Sequence, residues 1–234
     1  MKIDVLPDAD SVARAAASII AEQARAVVAA RGRFVMAVSG GRTPWMMLCA
    51  LSNQDMPWEK VQVVQVDERV APAGHDDRNL TLLHDSLSKQ ARLPMDRIHA
   101  MPVEASDLDA ATAQYAVMLQ ELAGLPPVLD LVHLGLGPDG HTASLVPGDP
   151  VLDVTDTDVA LTGIYQGRRR MTLTYPILNR ARCILWLVTG SKKADMFARL
   201  RDGDRSIPAG LVRREQAIVL ADRAAAGSNQ SMRS

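Results

Sequence analysis

Hydrophobic and polar positions along this chain alternate between a helical and a strand rhythm. Val12, Ala16, Ile19, Gln23, Val27 and Ala30 fall near one face of a helix, while Arg14, Glu22 and Arg25 gather on another. Asp8 or Asp10 can cap that helix and Gly32 can end it. Short apolar runs, several rich in β-branched residues, predict strands at 33–38, 61–66, 98–103, 129–134, 159–164, 171–174, 183–188 and 217–220. Further helical patterns cover 45–51, 79–91, 108–122 and 192–200, and Gly124 stops the third of these. Strands alternating with helices predict an α/β fold, a three-layer α/β/α arrangement on a mainly parallel sheet with right-handed crossovers. No internal repeat or long linker divides the sequence, so 1–223 is expected to form a single domain, and 224–234, small and polar, reads as a flexible tail.

Composition narrows the class. At 234 residues, 47% hydrophobic and 23% charged, the chain can bury a core for one or at most two domains. Aromatic residues make up only 3%, so that core rests on Val, Leu, Ile, Ala and Met. Lys and Arg number 26 against 27 Asp and Glu, a balance that gives no reason to expect nucleic-acid or anionic-membrane partners. Cys49 and Cys183 sit inside apolar runs, as buried thiols do, rather than in a disulfide framework. No stretch approaches the ~20 apolar residues of a membrane span, and the start of the chain lacks a signal-peptide layout. A cytoplasmic setting is expected.

Ligands of open α/β sheets bind beyond the carboxyl ends of the strands. Four unusual segments follow predicted strands directly: Ser39-Gly40-Gly41-Arg42-Thr43-Pro44, Asp67-Glu68-Arg69, Gly135 to His141, and Thr189-Gly190-Ser191-Lys192-Lys193. Parallel strands would bring all four to one edge. The first joins a strand to a helix, where amides, a hydroxyl and the helix N-terminus can cradle a phosphate or carboxylate. It serves equally as a tight turn with a capping Ser or Thr, and it lacks the Gly-Lys-Ser/Thr ending of a P-loop. In the second, Arg69 can hold a phosphate and Asp67 a sugar hydroxyl. Taken alone, a structural Asp–Arg pair or a solvated surface is the simpler account.

The third segment packs three glycines, Asp139 and His141 into seven positions. Glycines let backbone amides approach a ligand, and the acid and imidazole form a titratable pair beside them. The segment spells G-x-G-x-x-G with Asp156 near the distance of a ribose contact, yet Pro147, Gly148 and Pro150 block the helix a dinucleotide site needs. Asp139 would also set a negative charge beside a pyrophosphate. His133, Asp139 and His141 lack an evident fourth metal ligand. Ser144 lacks the G-x-S-x-G elbow of a nucleophile. A histidine that merely bonds its own loop is the plainer alternative for His141.

Read together, these motifs resemble the 6-phosphogluconolactonase family. The resemblance is carried by Ser39 to Pro44, Asp67-Glu68-Arg69-Val70, Asn79-Leu80, Gly135 to Leu145, Arg170-Met171-Thr172-Leu173-Thr174, Gly190 with Lys193, and Ile207-Pro208-Ala209, in that order. It implies a fold related to glucosamine-6-phosphate deaminase and ribose-5-phosphate isomerase, with no metal and no organic cofactor. It also implies hydrolysis of a small phosphorylated sugar lactone, 6-phospho-D-glucono-1,5-lactone, in the oxidative pentose phosphate pathway. The catalytic residues it implies are His141 as general base on water, Asp139 to orient the imidazole, and Asp67. Ser39, Gly40, Gly41, Arg42, Thr43, Arg69, Gly137, Arg170 and Lys193 are the expected substrate and phosphate contacts. The chain is expected to act as a monomer or weak homo-oligomer.

Sugar-phosphate deaminases and isomerases of this family share the Asp-Gly-His core but carry a catalytic glutamate five residues after the histidine. Here that position is Val146, which cannot do acid–base work. A sugar-phosphate-binding regulator on the same fold is a third class, and no helix-turn-helix or basic stripe supports it. Two departures from the lactonase pattern remain. Val146 replaces a common aromatic, and Gln166-Gly167-Arg168-Arg169 replaces a Lys-Pro-Pro-like stretch, which leaves Arg168, Arg169 and Arg170 as competing phosphate contacts. Arg170 occupies the matching Arg-x-Thr-Leu-Thr position.

Overall fold

A computed structural model describes residues 1–88 and 93–227. Its central sheet joins β1 (Lys2–Leu6), β2 (Phe34–Val38), β3 (Val61–Gln65), β5 (Ile98–His99), β6 (Leu131–Gly135), β9 (Ile184–Val188) and β10 (Ala217–Asp222). They lie in the order β1-β10-β9-β6-β2-β3-β5, and every pairing is parallel. A second, antiparallel sheet holds β4 (Asp67–Arg69), β8 (Arg170–Leu173) and β7 (Val159–Leu161), in that order.

Both faces of the main sheet are covered, which is why its strands read as continuous apolar runs. Alternate residues of β2 divide between two cores. Phe34, Met36 and Val38 join α1 (Ala9–Arg31) and α2 (Arg42–Leu51), whereas Val35 and Ala37 meet residues of α4 (Leu108–Ala123), α5 (Tyr175–Arg180), α6 (Ala194–Asp202) and the small sheet. The Asp8 side chain caps α1 by accepting from Ser11 N–H at 2.8 Å, and Gly32 ends it in the left-handed conformation. No helix among the described residues is long and apolar enough to cross a membrane.

Several sequence expectations change. The helix expected at 79–91 is α3 (Asn79–Leu83) running into a π-helical turn, His84–Ser88, and 89–91 lie outside the described residues. The strand expected at 98–103 stops at His99. Segments 159–164 and 171–174 do not join the parallel sheet. The short link between them can only reverse the chain, because a parallel crossover needs a dozen or more residues. The Asp67-Glu68-Arg69 triplet is not the end of a parallel strand but the separate strand β4. β1 and α5 carry no sequence prediction, being short and of mixed character. The tail read from 224 keeps its first turn packed, with Ala225 fully buried, and 228–234 lie outside the described residues.

Candidate active site

Val66 is the hinge that builds the site. Its N–H donates to the Val38 carbonyl at 2.9 Å, continuing the main sheet, while its own carbonyl accepts from Leu173 N–H at 2.8 Å. The chain thus leaves the parallel sheet and enters the antiparallel one, setting β4 across from β8. Glu68, fully buried, locks the bend. Its carboxylate accepts from Gln65 Nε2 (2.9 Å) and from the backbone N–H groups of Arg69 (2.8 Å), Asn79 (2.9 Å) and Leu80 (2.8 Å). Arg78 Nε lies 3.2 Å from the same carboxylate. A buried carboxylate is tolerable only with such a set of partners.

Asp139 and His141 form a pair at the carboxyl end of β6. His141 Nδ1 stands 2.5 Å from Asp139 Oδ1, and the His141 backbone N–H donates to the same oxygen at 3.2 Å. An ionised carboxylate only accepts, so Nδ1 carries a proton, and whenever the imidazole is neutral its lone pair is on Nε2. Burial raises the Asp139 pKa, but the His141 charge, the two His141 hydrogen bonds and the Tyr165 hydroxyl outweigh it and hold the carboxyl below its ordinary value. Gly137 makes this approach sterically possible: a Cβ there would stand 2.1 Å from His141 Nδ1.

His141 borders a cavity of about 190 Å³. Ser39, Gly40, Asp67, Arg69, Asn79, Gly137, His141, Ala143, Arg170 and Lys193 line it, so three cations share its wall with the imidazole. Arg69 and Arg170 are register partners across β4 and β8. Burial and the Arg69 charge pull the Arg170 pKa down, and burial does the same to Lys193 against the attraction of Asp139. Arg170 Nε is buried and finds no hydrogen-bond partner among the described residues. Ala143 lines the wall at φ +52°, a strained conformation for a residue with a Cβ.

Of the expected site residues, Ser39, Gly40, Asp67, Arg69, Gly137, His141, Arg170 and Lys193 converge on this cavity. Asp139 stands behind His141. Arg42 and Thr43 line a neighbouring cavity of about 560 Å³ that shares Gly40 and Lys193, and Thr43 Oγ1 pairs with Thr189 Oγ1 at 2.7 Å. Gly41 opens on a small recess beside Trp45. Ser39 Oγ donates to the His133 carbonyl at 3.0 Å, so its proton is used inside the fold. Asp67 Oδ2 accepts from Ser144 Oγ at 2.7 Å. Burial raises the Asp67 pKa, opposed by Ser144, Arg69 and Arg170. Of the competing arginines, Arg168 pairs with Asp77 at 2.8 Å and Arg169 donates to the Thr162 carbonyl, leaving Arg170 at the cavity. His133 is fully buried, with Nδ1 accepting from Ser39 N–H at 3.2 Å. Among the described residues no group of three or more His, Cys, Asp or Glu is arranged to hold a metal ion.

A family model for glucosamine-6-phosphate isomerases/6-phosphogluconolactonase matches residues 7–220. The chain belongs to this family. The 6-phosphogluconolactonase of Mycobacterium tuberculosis is 37% identical over 238 residues, 96% of each chain. That of Synechocystis sp. is 36% identical over 196 residues, 82% of this chain and 81% of that one. The crystal structure of 6-phosphogluconolactonase from Thermotoga maritima superposes with a TM-score of 0.84 at 25% identity, covering 94% of this chain and 98% of that one. A monomeric glucosamine-6-phosphate deaminase of the NagB superfamily shares the fold, with a TM-score of 0.85 at 19% identity over 97% of this chain and 99% of that one. The α/β fold expected from the sequence, related to the deaminase, is the fold observed.

Within the family's fold, two residues at the site escape sequence reasoning. Asn79 carries the link between strands and cavity: its Nδ2 donates to the Asp67 carbonyl at 2.9 Å, and its Oδ1 accepts from Arg69. The motif Asn79-Leu80 marks the position without its role. Tyr165 donates its hydroxyl to Asp139 Oδ2 at 3.0 Å, and no local pattern announces it.

Proposed function

We propose that this chain hydrolyses 6-phospho-D-glucono-1,5-lactone to 6-phospho-D-gluconate in the oxidative pentose phosphate pathway. The observation that carries this reading is an imidazole oriented by Asp139 on the same 190 Å³ cavity as Arg69, Arg170 and Lys193. One wall suits general-base chemistry and another suits a phosphate dianion. Family membership and relatives named 6-phosphogluconolactonase support the same substrate class.

His141 Nε2 takes a proton from water as the water oxygen attacks C1 of the lactone. The carbonyl π electrons move onto oxygen, and the Gly40 and Leu136 amides on the cavity wall are the donors for that oxyanion, since Ser39 N–H and Gly137 N–H already donate to His133 Nδ1 and the His141 carbonyl. The intermediate collapses with cleavage of the bond from C1 to the ring oxygen, and the imidazolium returns its proton to that oxygen. Asp139 stabilises the imidazolium while it lasts. A general base contributes typically ~10² to 10⁴-fold, enough with positioning for an already activated ester. The three cations hold the phosphate, which fixes the ring face presented to His141, and Asp67 receives a sugar hydroxyl. The reaction is assigned to the cytoplasm, with the chain acting as a monomer or weak homo-oligomer.

A deaminase or isomerase is the second reading, and Val146 in place of the glutamate counts against it. The two separate in one experiment. Purified protein is given lactone generated in situ from glucose 6-phosphate, and in parallel glucosamine 6-phosphate. Acid release above the spontaneous rate is expected with the first, and no ammonia with the second. Ammonia without accelerated acid release would reverse the assignment.

A further inference from the structure

Between β7 and β8 the chain turns back through a two-residue loop. Tyr165 N–H donates to the Arg168 carbonyl at 3.0 Å, and Arg168 N–H returns to the Tyr165 carbonyl at 3.3 Å. The central residues Gln166 and Gly167 have φ of +52° and +79°. Both are positive, as the type I′ turn that matches strand twist requires. Arg168 pins the outer side of the turn, its Nε donating to Asp77 Oδ2 at 2.8 Å. On the inner side Tyr165 reaches over the site. Its hydroxyl donates to Asp139 Oδ2 at 3.0 Å, and its ring meets the His141 ring edge-on, centroids 5.6 Å apart at 67°. Arg170 Cζ lies 4.9 Å from the Tyr165 centroid, over the ring face.

We infer that Tyr165 is a positioning residue, its hydroxyl holding Asp139 for His141 and its ring face holding Arg170 for the substrate phosphate. The inference rests on the lactonase reading above for its substrate. The Asp139 side chain is 34% exposed, and a carboxylate so placed can swing toward water. With Oδ1 held by His141 and Oδ2 by Tyr165, both oxygens are fixed, and so is the ring they orient. Stacking on an aromatic face likewise removes freedom from a guanidinium. One side chain therefore ties the proton-transfer pair to the anion anchor, across a hairpin pinned from outside.

The two halves of the role separate by substitution. Tyr165→Phe keeps the ring and removes only the hydroxyl, so kcat is expected to fall about tenfold with KM for the phosphorylated lactone unchanged, the size of one hydrogen bond to a charged group. Tyr165→Leu removes the ring as well, and KM is expected to rise several-fold on top of the same loss in kcat. A readout free of substrate accompanies these: the 13C resonance of the Asp139 carboxyl, followed against pH. His141, Tyr165 and Lys193 are the titratable groups that act on Asp139. Loss of the Tyr165 donor is expected to move the Asp139 titration to higher pH in Tyr165→Phe, which a role in stability alone would not do. Wild-type kcat with an unmoved Asp139 titration in Tyr165→Phe, or an unmoved KM in Tyr165→Leu, overturns the inference. Should the wild-type protein not hydrolyse the lactone at all, the lactonase reading falls, and the Asp139 titration still decides the contact with Tyr165.

Discussion

Arg69 and Arg170 stand directly opposite each other in antiparallel register, two guanidinium groups on adjacent strands at one wall of the cavity. Like charges placed this way repel, and burial of Arg170 removes the water that would screen them. A dianion between them relieves the repulsion. The proposed phosphate site therefore gathers like charges whose mutual repulsion a bound dianion would offset.

Arg170→Met is expected to leave the melting temperature of the ligand-free protein unchanged or higher, since repulsion is removed and a buried charge with it. In the wild type, 6-phosphogluconate at one hundred times its Kd should stabilise by about 2.7 kcal/mol. The variant should show little of that rise, and its KM should increase about tenfold to a hundredfold. Thermal melts with and without ligand check both arms. A full ligand-induced rise in the variant would remove Arg170 from the anchor.

His141→Ala is expected to lower kcat by about 10² to 10⁴-fold, the range a general base supplies, with KM little changed because the cations are untouched. Steady-state kinetics on freshly generated lactone provide the check, and near-wild-type turnover would rule out the base assignment.

Gly137→Ala is expected to reproduce most of that loss without touching a catalytic group. The Gly137 N–H donates to the His141 carbonyl at 2.8 Å, and a Cβ would fall 2.1 Å from Nδ1 and 2.6 Å from Asp139 Oδ1. The pair must part to admit it. A Gly137→Ala protein that folds and turns over normally would show the 2.5 Å contact to be dispensable.

Glu68→Gln is expected to destabilise the fold by roughly 3 kcal/mol, as when one partner of a buried charged network is lost. The amide nitrogen of Gln would face N–H groups that now donate to carboxylate. Urea denaturation gives the number, and a change below about 0.5 kcal/mol would place Glu68 with ordinary surface substitutions.

His133 sets a pH dependence of stability. Burial pushes its pKa down to about 3. Between that value and the ordinary ~6.5 of an unfolded histidine, the unfolded chain binds a proton that the folded one refuses. Stability thus rises with pH through this window and is lost as pH falls, by up to about 1.4 kcal/mol per pH unit. His133→Asn, whose side-chain oxygen can accept from Ser39 N–H, should flatten that slope between pH 5 and 6.5. Parallel slopes in the two proteins would contradict the assignment.

Much of the site was legible from residue order. Asp139-Gly140-His141 lies on a loop after an apolar run, and the Ser39 to Pro44 and Gly190 to Lys193 segments do likewise, so a parallel sheet delivers them to one edge. The Asp67-Glu68-Arg69 triplet was harder to read. A run of charge after a strand is ordinarily solvated, and nothing local distinguishes Glu68, which is fully buried, from its half-buried neighbour Arg69. Arg170 was favoured by its place in the Arg-x-Thr-Leu-Thr motif, but Arg168 and Arg169 competed with it until the fold gave those two partners at Asp77 and the Thr162 carbonyl.

By itself, the order of residues determined the alternation of strands and helices, the two-sided burial of the main sheet, the Asp–His pair and the family to which they belong. These are written in short-range periodicity and in motifs a few residues long, where each residue's neighbours along the chain are its neighbours in space. Only the tertiary structure decided that the chain bends at Val66 into a second sheet, that Arg69 faces Arg170, that Glu68 is the buried lock, and that Tyr165 closes over Asp139. Apart from those of Glu68, whose partners lie within twelve residues of it, these contacts join segments far apart in sequence. Their partners follow from the path of the backbone and the set of donors it gathers, which no local pattern contains.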